Sequence, residues 1–211
     1  MEDILPPYPD KQADGSGPDL AALIGSRICH DLTNPLGAIG NGMELLELSG
    51  QAASPEMALI AQAVGNAKAR VQFLRVAFGA AGPTHRMGGA ELATLVADHA
   101  QGGRVAIRWP AEAEVARPDA RLGFLLLMCL EAALPFGGQI IVTRPGESWR
   151  LVAEAARMRD LGPLWDGLAG QRPLPEVGPA QVQFALAPLA AARLGRTITV
   201  TRAEGALTLT A

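Results

Sequence analysis

The chain has 211 residues, enough to bury a sizeable core in one large or two small domains. Its 18 Lys plus Arg against 21 Asp plus Glu leave a formal net charge of −3, so it carries no basic field to hold nucleic acid or an anionic membrane. A protein or small-molecule partner is expected instead.

Cys29 and Cys129 lie inside apolar helical patterns rather than at paired loop positions, so neither a disulfide framework nor a zinc site is indicated. No run of 18 apolar residues occurs, and the first residues have neither the basic nor the apolar region of a secretory leader. A cytoplasmic protein with no membrane span is expected.

Residues 1–18 are rich in Pro, Gly and Asp and poor in large apolar groups, which reads as a disordered arm. From Leu20 to Leu48 the apolar residues Leu20, Leu23, Ile24, Ile28, Leu32, Ile39, Met43 and Leu46 recur at helical spacing, with Asp19 placed as an N-cap. Ser54 as cap and Pro55 at the first helical position start a second helix that ends near Gly79. The expectation is an antiparallel helical hairpin over 19–80 that dimerises into a four-helix bundle, because its broad apolar stripe also takes in Val64, Val71, Leu74 and Phe78.

Residues 81–89 read as a linker to a second unit over 90–211, whose elements are mixed. A helix near 90–100, a strand at 104–109, a helix at 118–134 and strands at 139–143 and 149–153 are followed by a Gly/Pro-rich loop at 160–178. A helix over 179–194 and a hairpin turned at Glu204-Gly205 close the chain. The fold class is α+β.

The candidate site is Ser26-Arg27-Ile28-Cys29-His30-Asp31-Leu32-Thr33-Asn34-Pro35-Leu36. At about 100° per residue, His30 points roughly 160° away from the apolar arc centred on Ile28 and Leu46, so it is expected to face solvent. Thr33, Asn34, Gly37, Asn41 and Glu44 share its face, and the glycine flattens the surface below the imidazole. Pro35 removes a backbone donor and frees the carbonyl of Asp31.

An exposed neutral imidazole can attack the phosphoryl group of an aspartyl phosphate in line and pass it on from the phosphohistidine. Asp31 could fix the tautomer by accepting Nδ1–H, or could instead bond the backbone or support the bundle. An isolated surface histidine is commonly just a solvated residue. The company of His30 (acid, interior proline, flat face) separates it from His85 and His99, which have no such setting.

His30-Asp31-Leu32-Thr33-Asn34-Pro35-Leu36 resembles the phospho-acceptor box of sensor histidine kinases. The longer string from Arg27 through Gly37-Ala38-Ile39 to Asn41-Gly42-Met43-Glu44-Leu45-Leu46 is similar to the alphaproteobacterial ChpT-type histidine phosphotransferases. That resemblance implies a homodimeric four-helix bundle, each protomer adding a C-terminal domain shaped like a degenerate kinase ATPase domain.

Kinases of this type hold magnesium–ATP with an Asn on the helix before a strand, an Asp-x-Gly-x-Gly turn and a glycine-rich loop. Here Glu131-Ala132-Ala133-Leu134, Ala153-Glu154-Ala155-Ala156-Arg157-Met158 and Gln183-Phe184-Ala185-Leu186-Ala187-Pro188 stand in those places. No cofactor, metal or ATP is expected on this chain, and Mg2+ is expected on the receiver partner.

The implied role is a relay between the receiver Asp of a hybrid histidine kinase and that of a response regulator. His30 is the phospho-acceptor and Asp31 its orienter, with Arg27, Thr33, Asn34, Gly37 and Asn41 as the partner-binding surface. The alternatives are a divergent ATP-dependent histidine kinase and a non-catalytic dimeric adaptor that binds response regulators.

Overall fold

A computed structural model describes residues 20–48, 54–80, 82, 84–111 and 114–211. The expected N-terminal arm, the Asp19 cap and the inter-helix turn lie outside these residues. Helix α1 (Leu20–Leu48) runs uninterrupted through Pro35. Helix α2 (Pro55–Phe78) begins as the sequence suggests, with the Ser54 hydroxyl accepting the Met57 N–H at 3.2 Å and Pro55 in the first turn.

The two helices form the hairpin, but the apolar stripe divides. Ala22, Cys29 and Met43 of α1 and Val71 of α2 are buried, whereas Leu23, Ile24, Ile28, Leu32, Ile39, Leu46, Leu59 and Ile60 remain exposed. The seam between α1 and α2 is thus set by the smaller residues, and the large β-branched and leucine side chains of α1 form a second face beside it.

The rest of the chain is a helix-backed sheet. Helix α3 (Gly89–Ala100), strand β2 (Val105–Arg108), helix α4 (Arg117–Ala133), strands β4 (Gly138–Thr143) and β5 (Arg150–Glu154), helix α6 (Val182–Arg193) and the hairpin β6 (Thr199–Ala203) and β7 (Ala206–Thr210) match the expected order. The sheet order is β2-β4-β5-β7-β6, with β2 parallel to β4 and the other pairs antiparallel. Burial alternates on β5, where Leu151 and Ala153 are covered and Arg150 and Glu154 are not, so one face packs against helices.

Three elements depart from the sequence reading. Residues 86–87 of the expected linker form strand β1 (Arg86–Met87), which pairs with β3 (Val115–Ala116). The Gly/Pro-rich loop contains helix α5 (Gly162–Leu168), started by Pro163 and anchored by the buried Trp165 against Phe184. Tertiary burial of one indole here overrides a composition that favours turns.

The core is continuous across the hairpin and the sheet-bearing part. Phe73, Val76 and Ala77 of α2 belong to the same buried cluster as Phe124, Leu130 and Trp149. Phe73 stacks on Phe124 at 4.7 Å between centroids. On its other side it stacks on His99 at 3.8 Å, whose Nε2 lies 3.1 Å from a Glu131 carboxylate oxygen. His99, which had no functional setting in the sequence, is a buried structural residue that joins α2, α3 and α4.

Candidate functional site around His30

His30 projects from the middle of α1 with 69% of its side chain exposed, as its helical phase requires. Its Nδ1 lies 3.3 Å from Oδ1 of Asp31. With Nδ1–H as the donor, Nε2 keeps its lone pair and faces solvent. Asp31 therefore reaches the imidazole although sequence neighbours on a helix diverge by about 100°.

Arg27, one turn earlier, donates from Nε to the second oxygen of Asp31 at 2.9 Å. Arg27, expected on the partner-binding surface, is exposed and pairs here with Asp31. The hydrogen bond from His30, and after it that from Arg27, holds the Asp31 carboxyl below the usual carboxylate range. Asp31 is thus the centre of an exposed Arg27–Asp31–His30 chain of hydrogen bonds.

Thr33, Asn34 and Asn41 are exposed and Gly37 is half-exposed. A Cβ placed on Gly37 would meet no atom within 4 Å, so that surface is open. The Thr33 hydroxyl donates to the Cys29 carbonyl at 2.7 Å. This back-bond lies in the same turn where Pro35 leaves the Asp31 carbonyl without its helical donor, while α1 stays continuous. Behind the imidazole, Cys29 faces the seam and is buried, and burial pushes its thiol up.

The sequence reading missed how this end of α1 is held. The Ser26 hydroxyl, one turn before His30, accepts the Ala80 N–H at 2.8 Å and ties α1 to the end of α2. Gly25 permits the contact, since a Cβ there would sit 3.0 Å from the Phe78 carbonyl oxygen. Small residues at two consecutive positions of an apolar helix are the signal that points to such a close approach.

Ala133, Met158, Arg159, Trp165, Arg202 and Leu207 line a cavity between the end of α4, the loop after β5 and helix α5. The Arg159 N–H donates to the Ala133 carbonyl at 2.8 Å, bringing the loop after β5 onto the end of α4. Arg202 of β6 reaches across to the Gly162 carbonyl at 3.2 Å and to Asp166 at 2.7 Å, holding α5 against that strand. Among the described residues no group of three or more His, Cys, Asp or Glu is arranged to hold a metal ion.

Residues 89–206 match the family described as histidine phosphotransferase C-terminal domain. The chain belongs to this family. Among curated proteins it is similar to the protein phosphotransferase ChpT of Brucella abortus (strain 2308), with 40% identity over 131 residues that cover 61% of this chain and 62% of that protein. The similarity thus spans somewhat less than two-thirds of that relative.

A solved bacterial phosphotransferase superposes with a TM-score of 0.65 at 25% identity, covering 91% of this chain and 95% of the other. A histidine kinase domain from a blue-light activated kinase of Erythrobacter litoralis EL346 gives a TM-score of 0.42 at 17% identity over 92% of this chain and 93% of that one. The family assignment rests on the part of the chain that does not carry His30, so it is independent of the likeness read from residues 27–46.

Proposed function

We propose that this chain is the histidine phosphotransferase of a phosphorelay, with His30 as the residue that carries the phosphoryl group. The observation that carries this reading is an imidazole exposed on a helix, its Nδ1 hydrogen-bonded to Asp31 and its Nε2 open to solvent. In the forward step the Nε2 lone pair attacks the phosphorus of an aspartyl phosphate on a receiver domain. The P–Nε2 bond forms as the acyl phosphate P–O bond breaks, and the receiver's carboxylate leaves with its electron pair.

The Nδ1 proton stays on the ring, where Asp31 stabilises the positive charge that develops on it. The second transfer is the same displacement in the opposite sense, with the carboxylate of a second receiver attacking the phosphohistidine. Magnesium belongs to the receiver's acidic pocket, and no ATP takes part. The donor is the receiver of a hybrid histidine kinase and the acceptor that of a response regulator, both meeting Thr33, Asn34, Gly37 and Asn41 below the imidazole.

The exposed Ile24, Ile28, Leu32, Ile39 and Leu46 supply a homodimer interface that completes a four-helix bundle. Because this stripe lies roughly 160° from His30, pairing would leave the imidazole in solvent on each protomer. The protein works in the cytoplasm, where receivers reside. The test is to mix the purified protein with phosphorylated receivers and follow label onto it. Acid-labile, base-stable label that then moves to a second receiver supports the relay, whereas binding without transfer would make it an adaptor.

A further inference from the structure

Strand β2 stands at one end of the sheet, so one of its edges has no neighbouring strand among the described residues. On its paired side the Gly138 N–H donates to the Arg104 carbonyl at 3.3 Å, which extends the parallel pairing with β4 toward the start of the strand. Successive residues of a strand turn their N–H and C=O groups to opposite edges. Arg104, Ala106 and Arg108 therefore address β4, and Val105 and Ile107 address the free edge. The N–H and C=O groups of Val105 and Ile107 accordingly have no hydrogen-bond partner among the described residues.

The two sides of this edge differ in chemistry. Val105 and Ile107 are half-buried and pack their side chains against the core, whereas Ala106 and Arg108 are exposed, as is Arg104. No hydrogen bond or ion pair engages the guanidinium of Arg104 or of Arg108 among the described residues. At about 3.3 Å per residue these two positions stand roughly 13 Å apart, with only the methyl group of Ala106 between them. A groove of about 640 Å3 runs beside the strand, and Ala97 and Ala100 of α3 form its opposite wall.

We infer that the free edge of β2 accepts an added strand, an extended segment of a partner protein that carries acidic side chains at alternate positions. The unpaired groups of Val105 and Ile107 supply the main-chain hydrogen bonds of such an addition. Side chains of a neighbouring strand alternate in step with those of β2. The acids of the segment thus stand beside Arg104 and Arg108, and its intervening apolar side chains stand beside Val105 and Ile107 and fill the groove.

A second copy of this chain does not suit the edge. Antiparallel pairing of β2 with itself about Ala106 sets Arg104 of each copy opposite Arg108 of the other, and like charges directly opposed destabilise a ladder. The inference concerns a surface that takes no part in phosphotransfer and stands without that reading.

The test titrates the full chain into a fluorescein-labelled peptide of alternating glutamate and valine and follows anisotropy. Affinity should fall by at least about tenfold in R104E/R108E, and a peptide with lysine in place of glutamate should bind wild type at least about tenfold more weakly. Both substituted positions are exposed, so the variant should fold as wild type does.

Residue-resolved amide hydrogen exchange separates strand addition from simple charge attraction. In the free protein the amides of Val105 and Ile107 should exchange fast while those of Ala106 and Arg108, turned to β4, are protected. With the acidic peptide bound, exchange at Val105 and Ile107 should slow by at least about tenfold. Absence of binding, equal binding by R104E/R108E, or binding that leaves those two amides exchanging as before overturns the inference.

Discussion

Nδ1 of His30 lies 3.3 Å from Oδ1 of Asp31, and the other Asp31 oxygen is engaged by Arg27 at 2.9 Å. The carboxylate thus spans two residues on successive turns and leaves Nε2 as the only ring nitrogen without a protein partner at this site. An orienting role predicts that Asp31→Asn, which keeps the shape but not the charge, slows transfer to His30 by about tenfold to a hundredfold without abolishing it. Transfer at the wild-type rate would reduce Asp31 to a surface ion pair.

The same contact sets a pH dependence. Because the Asp31 pKa is lowered in the folded protein, its contribution is complete above the usual carboxylate range and is lost as pH falls through the depressed value. The ratio of wild-type to D31N transfer rates should therefore be flat from pH 6 to 8 and shrink only below about pH 4. A ratio that changed across neutral pH, measured by quench-flow, would assign the contribution to another group.

The exposed stripe on α1 predicts a dimer that a charge can break. Ile28→Asp with Ile39→Asp puts two carboxylates where Ile28 is 53% and Ile39 47% exposed in the single chain. Desolvating either in an apolar interface is strongly unfavourable, so the dimer dissociation constant should rise by at least about a hundredfold. Sedimentation of wild type as a monomer at micromolar concentration would contradict the four-helix bundle.

Burial of Cys29 behind His30 makes its thiol a reporter of the seam. It is 6% exposed with its pKa raised, so iodoacetamide at pH 8 should leave it unmodified in the native protein and alkylate it fully in denaturant. Rapid native alkylation, read by mass spectrometry, would mean that α1 and α2 separate readily.

Residues 131–134, 153–158 and 183–188, which lack the kinase Asn, Asp-x-Gly-x-Gly turn and glycine-rich loop, predict indifference to nucleotides. A ligand at a hundred times its Kd should stabilise the fold by about 2.7 kcal/mol. Magnesium–ATP at millimolar concentration should give no thermal shift, and a clear shift would reopen the kinase reading.

Much of the architecture is legible in the sequence because its signals are local. The Ser54-Pro55 start of α2, the helical phase that turns His30 outward and the hairpin at Glu204-Gly205 need only neighbours in the chain. Helix α5 was hidden because Trp165 gains its order from Phe184, far away in sequence. Strands β1 and β3 are two residues each and stabilise one another across residues 88–114, so neither has a period to read.

Arg117 and Arg121, four apart at the start of an apolar helix, did carry a signal, since buried guanidinium groups require acceptors. The identity of those acceptors, the end carbonyls of α2, could come only from the packing. The helical spacing likewise marked the apolar residues of the hairpin, but which of them face α2 and which stay exposed follows from how closely Gly25, Ser26 and Gly40 let the helices approach.

The most direct test of the account is replacement of His30 itself. His30→Gln removes the nucleophile at an exposed position, so stability should change by no more than about 0.5 kcal/mol and dimerisation should persist. Incubated with a phosphorylated receiver and sampled over time, the wild-type protein should gain acid-labile, base-stable label and H30Q should gain none. Undiminished labelling of H30Q would place the acceptor elsewhere and contradict the central claim.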